Sequence, residues 1–134
     1  MNIIVDLKPE LHNVIAFTFK PGWTWDDFFA GLETEKQILK TFSGQRYDVI
    51  ADFEATSSVP VGNAVGHVRR SLETARQYNR GMTVVVSKSG YIRALVNTLV
   101  RMVPTFRDSF IAVDSLSEAF ERIKRSRDAQ TEVK

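Results

Sequence analysis

The 134-residue chain has no cysteine. That excludes disulfides, thiolate metal sites and a cysteine nucleophile together. It fits a reducing compartment, and a cytoplasmic location is expected. A surplus of one charge is also missing. Eighteen Lys and Arg stand against 16 Asp and Glu, a net charge of +2. Such a balance leaves no electrostatic footprint for nucleic acid, although Arg122, Lys124, Arg125 and Arg127 concentrate positive charge near the end. Histidine is scarce. His12 and His67 belong to no local metal pattern, so neither a metal nor another cofactor is expected. The opening Met-Asn-Ile-Ile-Val-Asp lacks the basic and apolar regions of a signal peptide. The longest apolar stretch, within 91–103, is broken by Arg93, Asn97 and Arg101, which excludes membrane insertion by that segment. Gly-x-x-x-x-Gly-Lys-Ser/Thr and Gly-x-Ser-x-Gly are absent, and the spacing of Asp52, Ser57 and His67 does not make a triad. No catalytic set is expected.

What the chain does have is a core. Hydrophobic residues make up 43% of it, enough for one domain of this length. Residues 3–7 and 13–19 are rich in β-formers and flank a Pro9 turn, which predicts an antiparallel hairpin. Thr24 is a good N-cap, followed by Asp26 and Asp27 in a first turn. Trp25, Phe28, Phe29, Leu32, Leu39 and Phe42 then recur at helical spacing up to Ser43-Gly44. Further strands are expected at 47–54, 82–86 and 110–113, with helices at 61–80, 91–103 and 116–126. Arg69, Arg70, Arg76 and Arg80 fall off the apolar stripe of the second helix. The order β-β-α-β-α-β-α-β-α implies a mixed five-stranded α/β sheet, antiparallel at its start and parallel after it, covered by four helices. Residues 1–126 form the expected domain and 127–134 an expected flexible tail.

Two strand-to-helix junctions are the candidate working surface, because open α/β sheets place ligands at the carboxyl ends of their strands. One is Thr56-Ser57-Ser58, after the strand at 47–54. The other is Ser87-Lys88-Ser89-Gly90, where a helix N-terminus and a lysine can hold an anion. The plainer account of both is a hydroxyl-rich turn that caps a helix. Asp48, Asp52 and Glu54 share one face by parity and can hold a cation or simply mark a strand end. The third helix carries more apolar surface than one stripe needs. Ile92, Leu95, Val96, Leu99, Val100 and Val103 are therefore candidates for a homodimer interface, with burial inside the chain as the alternative. Trp23, Trp25, Phe28 and Phe29 either line an apolar pocket or pack the core.

In element order, and in the closing run Ile111-Ala112-Val113-Asp114-Ser115-Leu116-Ser117-Glu118-Ala119-Phe120, the chain resembles the SpoIIAA-like group of the STAS superfamily. The resemblance implies a non-enzymatic regulatory or protein-docking module, and a serine-phosphorylation switch at the turn holding Ser57 and Ser58. Here that turn continues as Val59-Pro60-Val61-Gly62, where the family's antagonists have an Asp-Ser-Ser-Gly-Leu-like string running directly into the helix. Other SpoIIAA-like proteins are linked to lipids or small apolar ligands. The second expectation is therefore a carrier or sensor of such a ligand, held between the sheet and the first and third helices.

Overall fold

Runs of β-branched residues bounded by Pro, Gly and Asn form one sheet in the computed structural model, which describes residues 1–132. The strands are β1 (Ile3–Leu7), β2 (Val14–Phe19), β3 (Tyr47–Asp52), β4 (Arg80–Val86) and β5 (Phe110–Val113). The helices are α1 (Trp25–Leu39), α2 (Ala64–Gln77), α3 (Gly90–Met102) and α4 (Leu116–Glu132). The strands lie in sequence order, with β1 antiparallel to β2 and every later pair parallel. This is the mixed five-stranded α/β architecture that the element order implies.

The period-2 alternation divides the core between two faces. Phe17, Tyr47, Val49 and Val85 point to the side covered by α1, α2 and α3. Val14, Ala16, Ile50, Val84 and Val86 point to the other side, against Ala119 and Ile123 of α4. Thr24 caps α1 in a reciprocal box with Asp27. Ser115 caps α4 by accepting from the Glu118 N–H at 3.1 Å.

Several boundaries differ from the sequence expectation. The second helix begins at Ala64, after the carboxamide oxygen of Asn63 accepts from the Gly66 N–H at 2.9 Å. It ends at Gln77, and Arg80 lies on β4 opposite Tyr47. The last helix does not stop at 126. It runs to Glu132, so 127–132 are helical and the expected tail is corrected, while Val133 and Lys134 lie outside the described residues.

Arg127 seats that extra turn. Its Nε donates to Asp48 Oδ2 at 2.9 Å, and its Nη1 donates to the His12 carbonyl at 2.7 Å. Asp48 is fully buried and also accepts from Arg46 Nη2 at 2.8 Å and from the Met82 N–H at 2.6 Å. A buried carboxylate needs such a set of donors. A methyl group at Gly81 would overlap Arg46 Nε and Asp48 Oδ1, which accounts for glycine inside this strand.

Candidate functional site

On its three-helix side the sheet is incompletely filled. A cavity of about 110 Å³ lies between β2–β4 and the covering helices. Phe17, Trp23 and Phe28 wall one end, Val96 and Leu99 of α3 the other, and Val65 and Val68 of α2 roof it. Its lining is apolar except for Ser71, Arg80 and Thr83.

The gap follows from how α2 is held. Of its described side chains only Ser71 is buried. The loop before it leaves the sheet after Phe53, whose N–H donates to the Val86 carbonyl at 2.9 Å, and its later part is tied to the start of α1. Trp23 Nε1 donates to the Ser58 carbonyl at 2.8 Å, and Trp25 Nε1 donates to the Val61 carbonyl at 3.1 Å. Gly62, at φ +125°, turns the chain against the Trp25 ring, in a conformation a β-carbon would strain. His67 then lies 4.6 Å from the Trp25 ring and 5.0 Å from Phe29, centroid to centroid, and Arg70 sits 4.9 Å over Phe29. These contacts hold α2 on the aromatic face of α1 and leave space beneath it.

The polar end of the cavity is built on Arg80. Its Nη2 donates to Glu35 Oε2 at 2.7 Å, its Nε to the Tyr47 hydroxyl at 3.2 Å and its Nη1 to Thr83 Oγ1 at 3.5 Å. Glu35 is fully buried, and its Oε1 has no hydrogen-bond partner among the described residues. Burial raises the Glu35 carboxyl above its ordinary range, and the charge of Arg80 only partly opposes this. Burial also raises the Tyr47 phenol. For Arg80, burial pulls downward, but Glu35 and Tyr47 together outweigh it and keep the guanidinium charged.

A second, polar cleft opens at the carboxyl ends of β3, β4 and β5. It brings together the two junctions singled out in the sequence, Thr56 and Ser57 after β3 and Ser87, Lys88 and Ser89 after β4, with Glu54 and Asp114 also lining it. Adjacent parallel strands make this inevitable, since their carboxyl ends share one edge. Ser87 is buried and its Oγ accepts from the Ser89 N–H at 3.0 Å, while Ser89 caps α3, whose first residue is Gly90. Lys88 is exposed. Ser58 lies just outside the cleft, with its Oγ 2.9 Å from Thr56 Oγ1. Arg93 donates to the Ser87 carbonyl at 3.1 Å and to the Asp114 carboxylate.

The remaining candidates separate. Ile92, Val96 and Leu99 are buried inside the chain, and Leu95 lines the cavity, so much of the apolar surplus of α3 is used within the fold. Val100 and Val103 are half-buried. Asp48 and Asp52 share the α4 face, but Asp48 serves the arginine cluster, while Asp52 accepts from the Glu54 N–H at 2.9 Å in the turn past β3. No group of three or more His, Asp or Glu placed to hold a metal occurs among the described residues. Among them, too, no helix is long and apolar enough to cross a membrane. His67 packs among aromatic rings, away from any triad. Sequence reasoning missed Glu35, Ser71, Arg80 and Thr83. A charged residue at a helix or strand end reads as solvated, and only the register that sets Arg80 opposite Tyr47 shows otherwise. Compared with family models, curated proteins and solved structures, the chain matches none.

Proposed function

We propose that this protein is a non-enzymatic carrier or sensor of a small apolar ligand, held between the sheet and α1–α3. The observation that carries the reading is the apolar cavity beneath α2, a helix held to α1 by ring contacts and by indole hydrogen bonds to the loop before it. A well-packed domain leaves few voids larger than a water molecule, and apolar cavities of this order stay dry and take up small hydrocarbons. At about 110 Å³ the space suits a single ring, and a longer chain requires α2 to lift. Native mass spectrometry of gently purified protein tests the reading, together with thermal stabilisation by apolar compounds. A monomer carrying a small molecule, or a melting temperature that rises with added hydrocarbon, supports it. Neither effect at saturating ligand would reject it.

A second reading is a docking module with a phospho-switch, of the kind the SpoIIAA-like resemblance implies. It is favoured by one observation, the meeting of the Ser57 turn and the Ser87–Gly90 turn in one cleft. A phosphate on Ser57 would face Lys88 and the start of α3, where anions are stabilised. Protein from its own cells that is dimeric, or that carries phosphate on Ser57 or Ser58, would favour this reading. Unmodified monomer would count against it.

A further inference from the structure

We infer that the ligand of the α2 cavity is a rigid, single-ring hydrocarbon seated on Ala51, and that the Ala51 methyl sets the largest ring the cavity admits. This rests on the carrier reading above and adds the ligand's class and the residue that selects it.

The inference follows from the sheet register. Val5, Phe17, Ala51, Val85 and Ala112 form one row across the strands. Side chains of one row share a face, here the three-helix side. At the α1 end of the row the packing is as close as glycine allows. A β-carbon at Gly31 would lie 3.1 Å from Val5 and 3.2 Å from Phe17. At the α3 end, Val85 is buried with Ile92, Val96 and Leu99. These are two separate hydrophobic clusters, and Ala51 touches both without being buried in either. It is the one residue of β3 that is not buried, although β3 is the middle strand of the sheet.

The neighbours of Ala51 place the cavity over it. Across the sheet these are Phe17 and Val85, and two residues away along the chain they are Val49 and Phe53. All four line the cavity, as Ala51 does. The Phe53 ring stacks on Phe19 of β2, 4.1 Å between centroids. A methyl group thus stands where its neighbours on every side are larger, and the space above it is what a larger residue would fill. Val65 and Val68 of α2 close that space from above, and the indole bonds to the preceding loop fix its height. A ring fits between a methyl floor and a valine roof without losing internal freedom. A flexible chain would have to coil there and give up its rotamers.

Toluene and butylbenzene test this on the wild type, Ala51→Ile, Ala51→Gly and Ala112→Ile. Binding is read from the rise in melting temperature and from the indole N–H resonances, since Trp23 and Trp25 both line the cavity. The wild type should bind toluene at least about tenfold tighter than butylbenzene, because overfilling a closed space carries a cost of that order. Ala51→Ile adds three carbons at the seat. It should raise the melting temperature of the free protein by about 2–6 °C and weaken toluene at least about tenfold. Ala51→Gly should narrow the gap between the two probes to below about threefold. Ala112→Ile, in the same row but outside the lining, should leave both affinities as they are. Toluene bound equally by wild type and Ala51→Ile would overturn the inference and leave the carrier reading standing. Tighter binding of butylbenzene by the wild type would also overturn it, as would equal losses in the two isoleucine variants. If neither probe raises the melting temperature or shifts an indole, the carrier reading falls and the inference with it. Should Ala51→Ile not fold, Ala51→Gly decides, and an unchanged gap overturns the inference.

Discussion

Glu35→Leu and Arg80→Met remove the same ion pair, yet they should differ in cost. Both side chains are inside the protein, at 0% and 5% exposure. Removing Glu35 strands a guanidinium that cannot shed its proton, with only the Tyr47 and Thr83 hydroxyls left as partners. Breaking a buried pair in this way costs about 3–5 kcal/mol. Removing Arg80 strands a carboxyl instead, and a carboxyl can take up a proton. Burial already holds Glu35 above its ordinary range, so the neutral form is close at hand. The loss should then be about 1–3 kcal/mol at neutral pH, the cost of an imperfectly satisfied buried polar group. The sign of its pH dependence follows. A folded-state carboxyl raised above its unfolded value stabilises below the unfolded pKa, and that contribution is lost as pH rises through the folded one. Arg80→Met should therefore be most stable near about pH 4–5 and weaken toward pH 8, more steeply than wild type. The double variant should return to within about 1 kcal/mol of wild type or exceed it, because two apolar side chains replace two desolvated charges. Urea unfolding of all four proteins at both pH values closes the cycle. Equal losses in the two single variants, or a double variant as unstable as their sum, would refute the reasoning. Should Glu35→Leu not fold, Glu35→Gln serves, with a smaller loss in the same direction.

Two other outcomes follow from the same geometry. Because burial raises the Tyr47 phenol, the unfolded chain loses that proton first as pH climbs past about 10, and stability should fall through the window up to the folded value. Tyr47→Phe should flatten that alkaline loss in pH-dependent melting, and an unchanged slope would assign it to other groups. Ending the chain at residue 126 removes the Arg127 bonds to Asp48 and His12, and should cost about 2–4 kcal/mol in denaturant unfolding. Full stability of the shortened protein would restore 127–132 to the status of a tail.

Much of the fold is legible because its signals are local. Thr24 with Asp27, the valine run before Ser87 and the Pro104 that closes α3 each mark an element without reference to the rest. The misplaced boundaries have non-local causes. Arg80 follows Arg76 at helical spacing and reads as one more solvated position, whereas pairing with Tyr47 draws it into β4. The basic residues Arg122, Lys124, Arg125 and Arg127 read as solvated until Asp48, many residues earlier in the chain, is seen to need the last of them. Both serine turns are visible in the sequence, and sheet order alone brings them together. The cavity is different in kind. Its wall residues are recognisable as apolar, but an empty space has no sequence signature. It depends on how far α2 stands off, and the indole bonds from Trp23 and Trp25 to loop carbonyls set that distance.

The contact between Arg127 and Asp48 also has a consequence for the order of events during synthesis. β1 to β4 leave the ribosome well before α4, and each parallel unit can add its strand to the growing sheet as it emerges. Through that interval Asp48 has Arg46 and the Met82 N–H as its donors, and the loop carbonyl of His12 awaits its own. Arg127 supplies both at once, and it can do so only when β2, β3 and β4 already lie side by side. A nascent chain with a slipped register offers it no seat. The emergence of α4 thus doubles as an inspection of the strands made first.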